Sequence, residues 1–528
     1  MSLEERLARR ALRMTKVSGA DTPAVYTSLE SEWRAMTSGA ALLDLSWRRS
    51  LCVRGTDARE YLHGQTTADV KALASGGGVP ALALTAQGRV TALLDLYFHG
   101  PFAMRAGLWR RLAPAVPLPG FRAGDPDQDG LGVTMAGAEA AADPSASYED
   151  EADDHGDLFE IRVNAADLER VAERLGRFVV ADDVDFAIDA PVCEAGSDSA
   201  AAGMPARAGA PGQTASDPAS ETTEVSESRE RGTGPDGPGA VAADSEAGSA
   251  PAPATAGTPE REGDVAKATS AGVGAAVRGA GVQGAGVRGA GVQGPGPAPE
   301  RTTIGVAGPK AAEVLGRAGF SEVAAESCVA DLARSWFVRD GSIGGIDVTV
   351  FGRGDLWVPI FELVVERESA EALWSVLEDA GCVAAGHDAY EVVRVESAAP
   401  RWGQDVDDAT IAIEAGLEWA IHFDKGCYVG QEVIERAVSR GRVNYRLSLL
   451  EARAEVEPGS VVVAAGGQAL SDAARQRSAV RSVVCSPGRG PICLAYLPVD
   501  VAHPGTPCRI AGPAGDIDAT VAPWPRQQ

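Results

Sequence analysis

No two cysteines in this chain stand close enough in sequence to share a metal. The 8 cysteines of its 528 residues lie at 52, 193, 328, 382, 427, 485, 493 and 508, with no C-x-x-C pair. That spacing suggests neither a zinc site nor a disulfide framework and fits a reducing cytoplasm. Basic residues are also in deficit. With 48 Lys and Arg against 74 Asp and Glu, the formal net charge is −26 and the pI near 4.7. Strong direct nucleic-acid binding and attachment to anionic membranes are therefore not expected, since phosphate neutralisation needs clustered cations. No apolar run approaches the ~20 residues needed to span a bilayer, so no membrane partner is expected. The opening Met1-Ser2-Leu3-Glu4-Glu5-Arg6-Leu7 has early acids and no apolar core. It is expected to be no secretory signal and reads poorly as a transit peptide.

The largest absence is internal. Between Glu194 and Glu300 there is no Phe, Trp, Tyr, Leu, Ile or Cys. Such a stretch cannot bury enough apolar area to offset its ordering entropy, and residues 194–300 read as a disordered insertion rich in Ala, Gly, Pro, Ser and acids. It ends in three tandem pentads, from Gly279-Ala280-Gly281-Val282-Gln283 to Gly289-Ala290-Gly291-Val292-Gln293. Each pentad with the following glycine imitates a G-x-G-x-x-G fingerprint. No apolar strand precedes them and no helix follows, so they carry no dinucleotide site.

Elsewhere the periodicities are those of folded domains. Leu158–Val163 alternates like a strand, Asn164 can cap a helix over Ala165–Leu175, and Phe178–Ala181 starts another strand. Trp357–Glu366 repeats the strand pattern, and Ser369–Ala380 is a helix with Ala370, Leu373, Trp374 and Leu377 on one face, stopped by Gly381. The two strands share a phrase, Phe159-Glu160-Ile161 and Phe361-Glu362-Leu363. A split β-α-β layer with the insertion in a loop follows. From Arg446 onward, six short apolar pieces separated by Gly, Pro and Asp suggest a small antiparallel barrel.

The densest chemistry is Lys425-Gly426-Cys427-Tyr428-Val429-Gly430-Gln431-Glu432, where a thiol, an ammonium and an amide–carboxylate pair lie between glycines. Gln431–Val438 reads as the first turns of a helix. The helix end and Lys425 would both favour the Cys427 thiolate. The alternative is a small buried cysteine without reactivity. Arg436, Arg440, Arg442 and Arg446 follow, either as a patch for an anion or as an ordinary solvated face.

The string K-G-C-Y-x-G-Q-E resembles the signature of the YgfZ family of folate-binding proteins, relatives of the glycine cleavage aminomethyltransferase (T protein) and of mitochondrial iron–sulfur assembly factors. Leu42-Leu43-Asp44-Leu45-Ser46, Val53-Arg54-Gly55-Thr56-Asp57-Ala58 and Leu62-His63-Gly64-Gln65-Thr66-Thr67-Ala68-Asp69-Val70 are similar to the opening of that family. Gly386–Glu396 is similar to its folate-site strand. The resemblance implies an α+β fold: a three-domain aminomethyltransferase-like ring with a split β-α-β layer and a C-terminal antiparallel β-barrel, interrupted by the insertion. The expected divisions are 20–157 (N-terminal folate-binding domain), 158–193 plus 301–400 (ferredoxin-like α+β domain), 194–300 (insertion), 401–445 (return segment with the cysteine motif) and 446–528 (barrel).

The resemblance further implies tetrahydrofolate or a derivative as ligand. Glu362 would accept the N–H edge of the pterin and Arg394 would donate to its carbonyl or anionic parts. On residue type alone, Glu362 could equally be an exposed strand carboxylate, and Arg394 a partner of Glu391 or Glu396. Cys427 would be the functional thiol, Lys425 its electrostatic tuner, and Tyr428, Gln431 and Glu432 its hydrogen-bonding shell. No metal ligand set is expected, since one cysteine cannot supply the usual four thiolates of a cluster.

In the aminomethyltransferases a Gly-Gly-x-x-Asp-Asp phrase supplies an aspartate beside the reacting folate nitrogen. Here Thr91 and Ala92 stand in its place, and Asp95 is displaced by about 10 Å of strand. A classical aminomethyltransferase is therefore disfavoured. The first expectation is a cytoplasmic folate-binding accessory of iron–sulfur enzymes, including those that modify tRNA. The others are a folate-dependent aminomethyltransferase or demethylase, and a non-catalytic interaction scaffold.

Overall fold

The computed structural model describes residues 2–101, 156–179, 182–188, 300–320, 335–440, 443–464, 477–512 and 515–524. The chain divides into two units, Met1–Cys193 with Gln293–Gln528, and Glu194–Val292. The second unit, with the three pentads, lies outside the described residues.

Within the first unit, one antiparallel sheet has the order Gly78–Leu84, Val90–Pro101, Asp157–Asn164, Arg48–Gly55, Asp185–Ile188. Helices Ala58–Gln65 and Ala165–Gly176 cover it. Leu168, Val171, Ala172 and Leu175, at helical spacing, join Tyr61 and Leu62 in its core. A second sheet has the order Phe337–Ile343, Ile346–Arg353, Ile360–Glu366, Arg301–Ala307, Ala41–Asp44, Val383–Ala384. Helices Leu3–Arg10, Ala311–Arg317 and Ala370–Asp379 pack on it through Leu7, Val314, Leu315, Leu373, Trp374 and Leu377.

The two sheets repeat one chain order: strand, helix, three-strand meander, helix, strand. Ala41–Asp44 is an added strand in the second. The shared phrase falls at equivalent places, since Phe159-Glu160-Ile161 and Phe361-Glu362-Leu363 both lie on the last meander strand and are fully buried. The sheets meet at their edges, where Gly78 donates to the Trp336 carbonyl (3.0 Å) and Val338 to that of Gly76 (2.8 Å).

This arrangement corrects three expectations. Strands Asp157–Asn164 and Asp185–Ile188 pair with Arg48–Gly55 and so belong to the first sheet, not to a domain with 301–400. Phe178 is a half-exposed turn residue under the Arg174 guanidinium, and the next strand is Asp185–Ile188. Gly386–Glu396 is not a strand: Gly386 precedes a helix, His387–Glu396. Its β-branched Val392, Val393 and Val395 favour a strand locally. Packing overrides them by placing Ala389, Tyr390 and Val393 in one core and Val395 in another.

The C-terminal pieces all fall in strands, ordered Val462–Ala464, Pro507–Gly512, Gly515–Val521, Tyr445–Ala452, Gly490–Pro498, Val480–Ser486. Val461 and Ala479 form a bridge joining the two edges of this sheet, so it closes on itself as a small barrel does. No helix among the described residues is long and apolar enough to cross a membrane.

Candidate functional site

Between the two equivalent sheets lies a buried cluster of charge centred on Glu362. Its Oε1 accepts from Arg48 Nε (2.9 Å) and Arg353 Nη1 (2.7 Å), and its Oε2 from Arg162 Nε (3.1 Å), with Arg162 Nη2 also at 3.1 Å. Burial pushes the Glu362 carboxyl up, but the three guanidiniums outweigh it and hold the group well below the usual carboxylate range. Arg162 also reaches the equivalent Glu160 (3.8 Å), which is bonded to Ser50 and to His99 (3.0 Å) and held at about 2 against its burial.

A carboxylate has about four acceptor positions; in Glu362 three are filled by hydrogen bonds, and Arg162 Nη2 stands beside the remaining one at 3.1 Å. Glu362 is fully buried and does not line the neighbouring cavity. Where the resemblance leads one to expect a pterin contact, Glu362 is bonded to three arginines as a hub between the sheets. Arg394 meets the same limit. Its five N–H groups serve Glu391, Asp405 Oδ2 (2.8 Å), the Ala399 carbonyl (2.7 Å) and Ser482 Oγ (2.8 Å). It touches the cavity wall but fastens its helix to the loop beyond and to the barrel, pairing with Glu391 and not with Glu396.

The cavity is a cleft open to solvent, with about 730 Å³ of empty space when the solvent at its mouth is included. The first sheet contributes Arg48, Leu93 and Asp95, and the second contributes Arg353 with Asp355 just beyond it. Tyr390 and the loop residues Trp402 and Trp419 complete the wall with Trp47. Trp47 is buried, and its indole N–H has no acceptor among the described residues. Thr91 and Ala92 are not on this wall. Thr91 is the extra residue of a bulge, between the pairs Ala83↔Ala92 and Leu84↔Val90, and its hydroxyl donates to the Ala83 carbonyl (2.9 Å). Asp95, set aside from the sequence because of its displacement, is on the wall. It accepts from Arg48 Nη2 (2.6 Å) and weakly from Trp336 Nε1 (3.3 Å).

The cysteine motif forms a separate place. Lys425 is buried, and its ammonium donates to the carbonyls of His63, Thr66 (2.7 Å) and Ala68 (2.7 Å). Burial lowers its pKa to about 8, so at neutrality it still carries all three protons and each has an acceptor. Val429 donates to the Gly64 carbonyl (3.2 Å), so the segment is tied to the end of helix Ala58–Gln65 on both sides of Cys427. Gly430 has φ +88°, and a Cβ there would sit 2.5 Å from the Thr85 carbonyl oxygen, which explains the glycine. Cys427 is exposed, in the turn before helix Gln431–Arg440.

Two expected roles change. Lys425 anchors backbone and does not hydrogen-bond Cys427. Gln431 donates to Glu435 (2.5 Å) and Glu432 accepts from Arg436, both along their own helix and not around the thiol. Tyr428 is buried beneath Lys425, with its hydroxyl pushed up to about 12 by burial. Arg436 and Arg446 pair with Glu432 and Glu418, as on a solvated face; Arg442 lies outside the described residues.

Residues 292–425 match a family model described as the GCVT N-terminal domain. Among curated proteins, the chain is similar to the aminomethyltransferase of Nostoc sp. (strain PCC 7120), 38% identical over 152 residues, 28% of this chain and 39% of that protein. It is also similar to that of Stenotrophomonas maltophilia (strain R551-3), 28% identical over 172 residues, 32% of this chain and 46% of that protein. The chain thus spans less than half the length of these relatives. Among solved structures it resembles the glycine cleavage system aminomethyltransferase T from Bartonella henselae, with TM-score 0.58 and 14% identity over 99% of this chain and 97% of that one. The fold is aminomethyltransferase-like.

Proposed function

We propose that this protein binds tetrahydrofolate or a derivative in the cavity between its two equivalent sheets, and serves as an accessory in the assembly or repair of iron–sulfur enzymes, including those that modify tRNA. The composition of the cavity carries the reading. Trp47, Tyr390, Trp402 and Trp419 give the wall aromatic surface suited to a flat heterocycle. Titration of the purified full chain with tetrahydrofolate by calorimetry is the test, and an absence of binding rejects the reading.

The accessory role rests on the cysteine motif. An exposed Cys427 held on a fixed loop is open to a protein partner, whereas the four buried cysteines at 52, 382, 493 and 508 are not. Cys427→Ser should fold and bind folate yet fail to restore iron–sulfur enzyme activity in cells lacking the native protein. A second reading, a folate-dependent aminomethyltransferase, is favoured by the names of the curated relatives and by the carboxylate of Asp95 in the cavity. Turnover of a methylamine donor in the presence of tetrahydrofolate separates the two.

A further inference from the structure

We infer that Asp95, and not Glu362, is the carboxylate that receives the N–H edge of the ligand's heterocycle. The assignment rests on the folate reading above and names the residue that orients the ring. Three observations carry it.

The first is capacity. Glu362 uses three of about four acceptor positions and has Arg162 Nη2 at 3.1 Å beside the last, whereas Asp95 uses two, one in a 2.6 Å bond to Arg48 and one in a 3.3 Å contact with Trp336. The second is place. Asp95 lines the cavity and its side chain keeps 16% exposure, against 0% for Glu362. The third is charge. Arg48 divides its guanidinium between Asp95 and Glu362, and Arg353 divides its own between Asp355 and Glu362. Asp95 is left with a shared cation, and burial accordingly raises its carboxyl pKa despite Arg48 and Arg353. A ligand bringing two adjacent N–H donors relieves that shortfall; a second carboxylate or a carbonyl edge aggravates it.

The other cavity carboxylates are better matched. Asp355 takes two bonds of 2.7 and 2.6 Å from Arg353. Asp167 resembles Asp95 in bond count, accepting from Arg170 (2.8 Å) and weakly from Asn164 (3.4 Å), but no second carboxylate shares its cation in the ion pairs of the described residues.

The test is a cycle between protein and ligand. Tetrahydrofolate and its 2-desamino-2-methyl analogue, which lacks the exocyclic donor, are titrated into the wild-type chain, Asp95→Asn, Asp167→Asn and Asp355→Asn. The wild type should prefer tetrahydrofolate by tenfold or more. Asp95→Asn, in which Arg48 keeps Glu362 as partner, should lose most of that preference, while Asp167→Asn and Asp355→Asn retain it. Should Asp95→Asn fail to fold, retention in the other two variants supports the assignment, and loss in either overturns it. Undiminished preference in Asp95→Asn also overturns it while leaving the folate reading intact. A wild-type chain that binds neither ligand removes both.

Discussion

Replacing Glu362 by Gln should damage the fold before it damages a ligand site. The substitution is nearly isosteric, but it removes the one negative charge on which Arg48, Arg162 and Arg353 converge, and it turns an amide N–H toward a guanidinium N–H. Breaking a buried ion pair by deleting one partner costs about 3–5 kcal/mol, because the remaining charge stays buried without compensation. For a cooperative unit on the order of 300 residues, an unfolding entropy of about 2.1 cal/mol/K per residue makes 4 kcal/mol a loss of roughly 6 °C in midpoint. Thermal unfolding followed by circular dichroism, with the ligand absent, measures it. Any fall in folate affinity should appear only together with this destabilisation. A variant whose midpoint stays within a degree or two of wild type while its folate affinity drops tenfold would falsify the placement of Glu362 as a hub between sheets.

Four further outcomes follow. Joining Cys193 to Arg301 through a short Gly/Ser linker should leave the midpoint within a few degrees, since the removed residues include no aromatic residue, leucine or isoleucine; a collapse would show that they pack on the core. Lys425→Met should lower the midpoint by stripping a buried donor from three carbonyls, of which Ala68's keeps the Val70 N–H; an unpaired carbonyl costs about 1–3 kcal/mol, and an unchanged midpoint would deny the anchor. Iodoacetamide at pH 7 should label Cys427 fastest, with Cys382 and Cys493 inert because burial pushes both thiols up to about 12; labelling of Cys427 no faster than exposed Cys485 would count against a special thiol. Stability should change little from pH 6.5 to 4.5 and fall steeply from there to pH 2. In the upper window burial lowers His387 to about 4, so the unfolded chain binds its proton first and stability drops with acid. Asp44, raised by burial to about 6, binds its proton first in the folded state and offsets that loss. In the lower window Glu160 and Glu391, held at about 2, lose their native advantage as the pH falls below their unfolded values. Asp44→Asn should therefore start to lose stability near pH 6.5, and a variant with the wild-type profile would reject this account.

What was legible in the sequence follows from how local each signal is. The helix Ala370–Asp379 declares itself through four apolar residues on one face, and the six barrel strands through apolar pieces cut by Gly and Pro. The helix His387–Glu396 was hidden because its valines argue for a strand and only its burial between two cores argues otherwise. The repeated Phe-Glu pair was visible, but its meaning was not. It suggested one layer, whereas the two glutamates lie on equivalent strands of different sheets and meet through Arg162.

The site residues meet a harder limit. Residue type and family position can nominate a carboxylate, but whether it has an acceptor position to spare depends on which cations the fold brings to it. Arg48, Arg162 and Arg353 come from three strands as many as 305 residues apart, and no spacing rule links them to Glu362. Asp95 was judged by its distance from the slot it should have filled. The cavity runs along the strand past Leu93 and Leu94, so a displaced carboxylate still reaches it. The relevant quantity is the set of unfilled hydrogen-bond positions facing the cavity, and Asp95 on the wall keeps more of them than the buried Glu362.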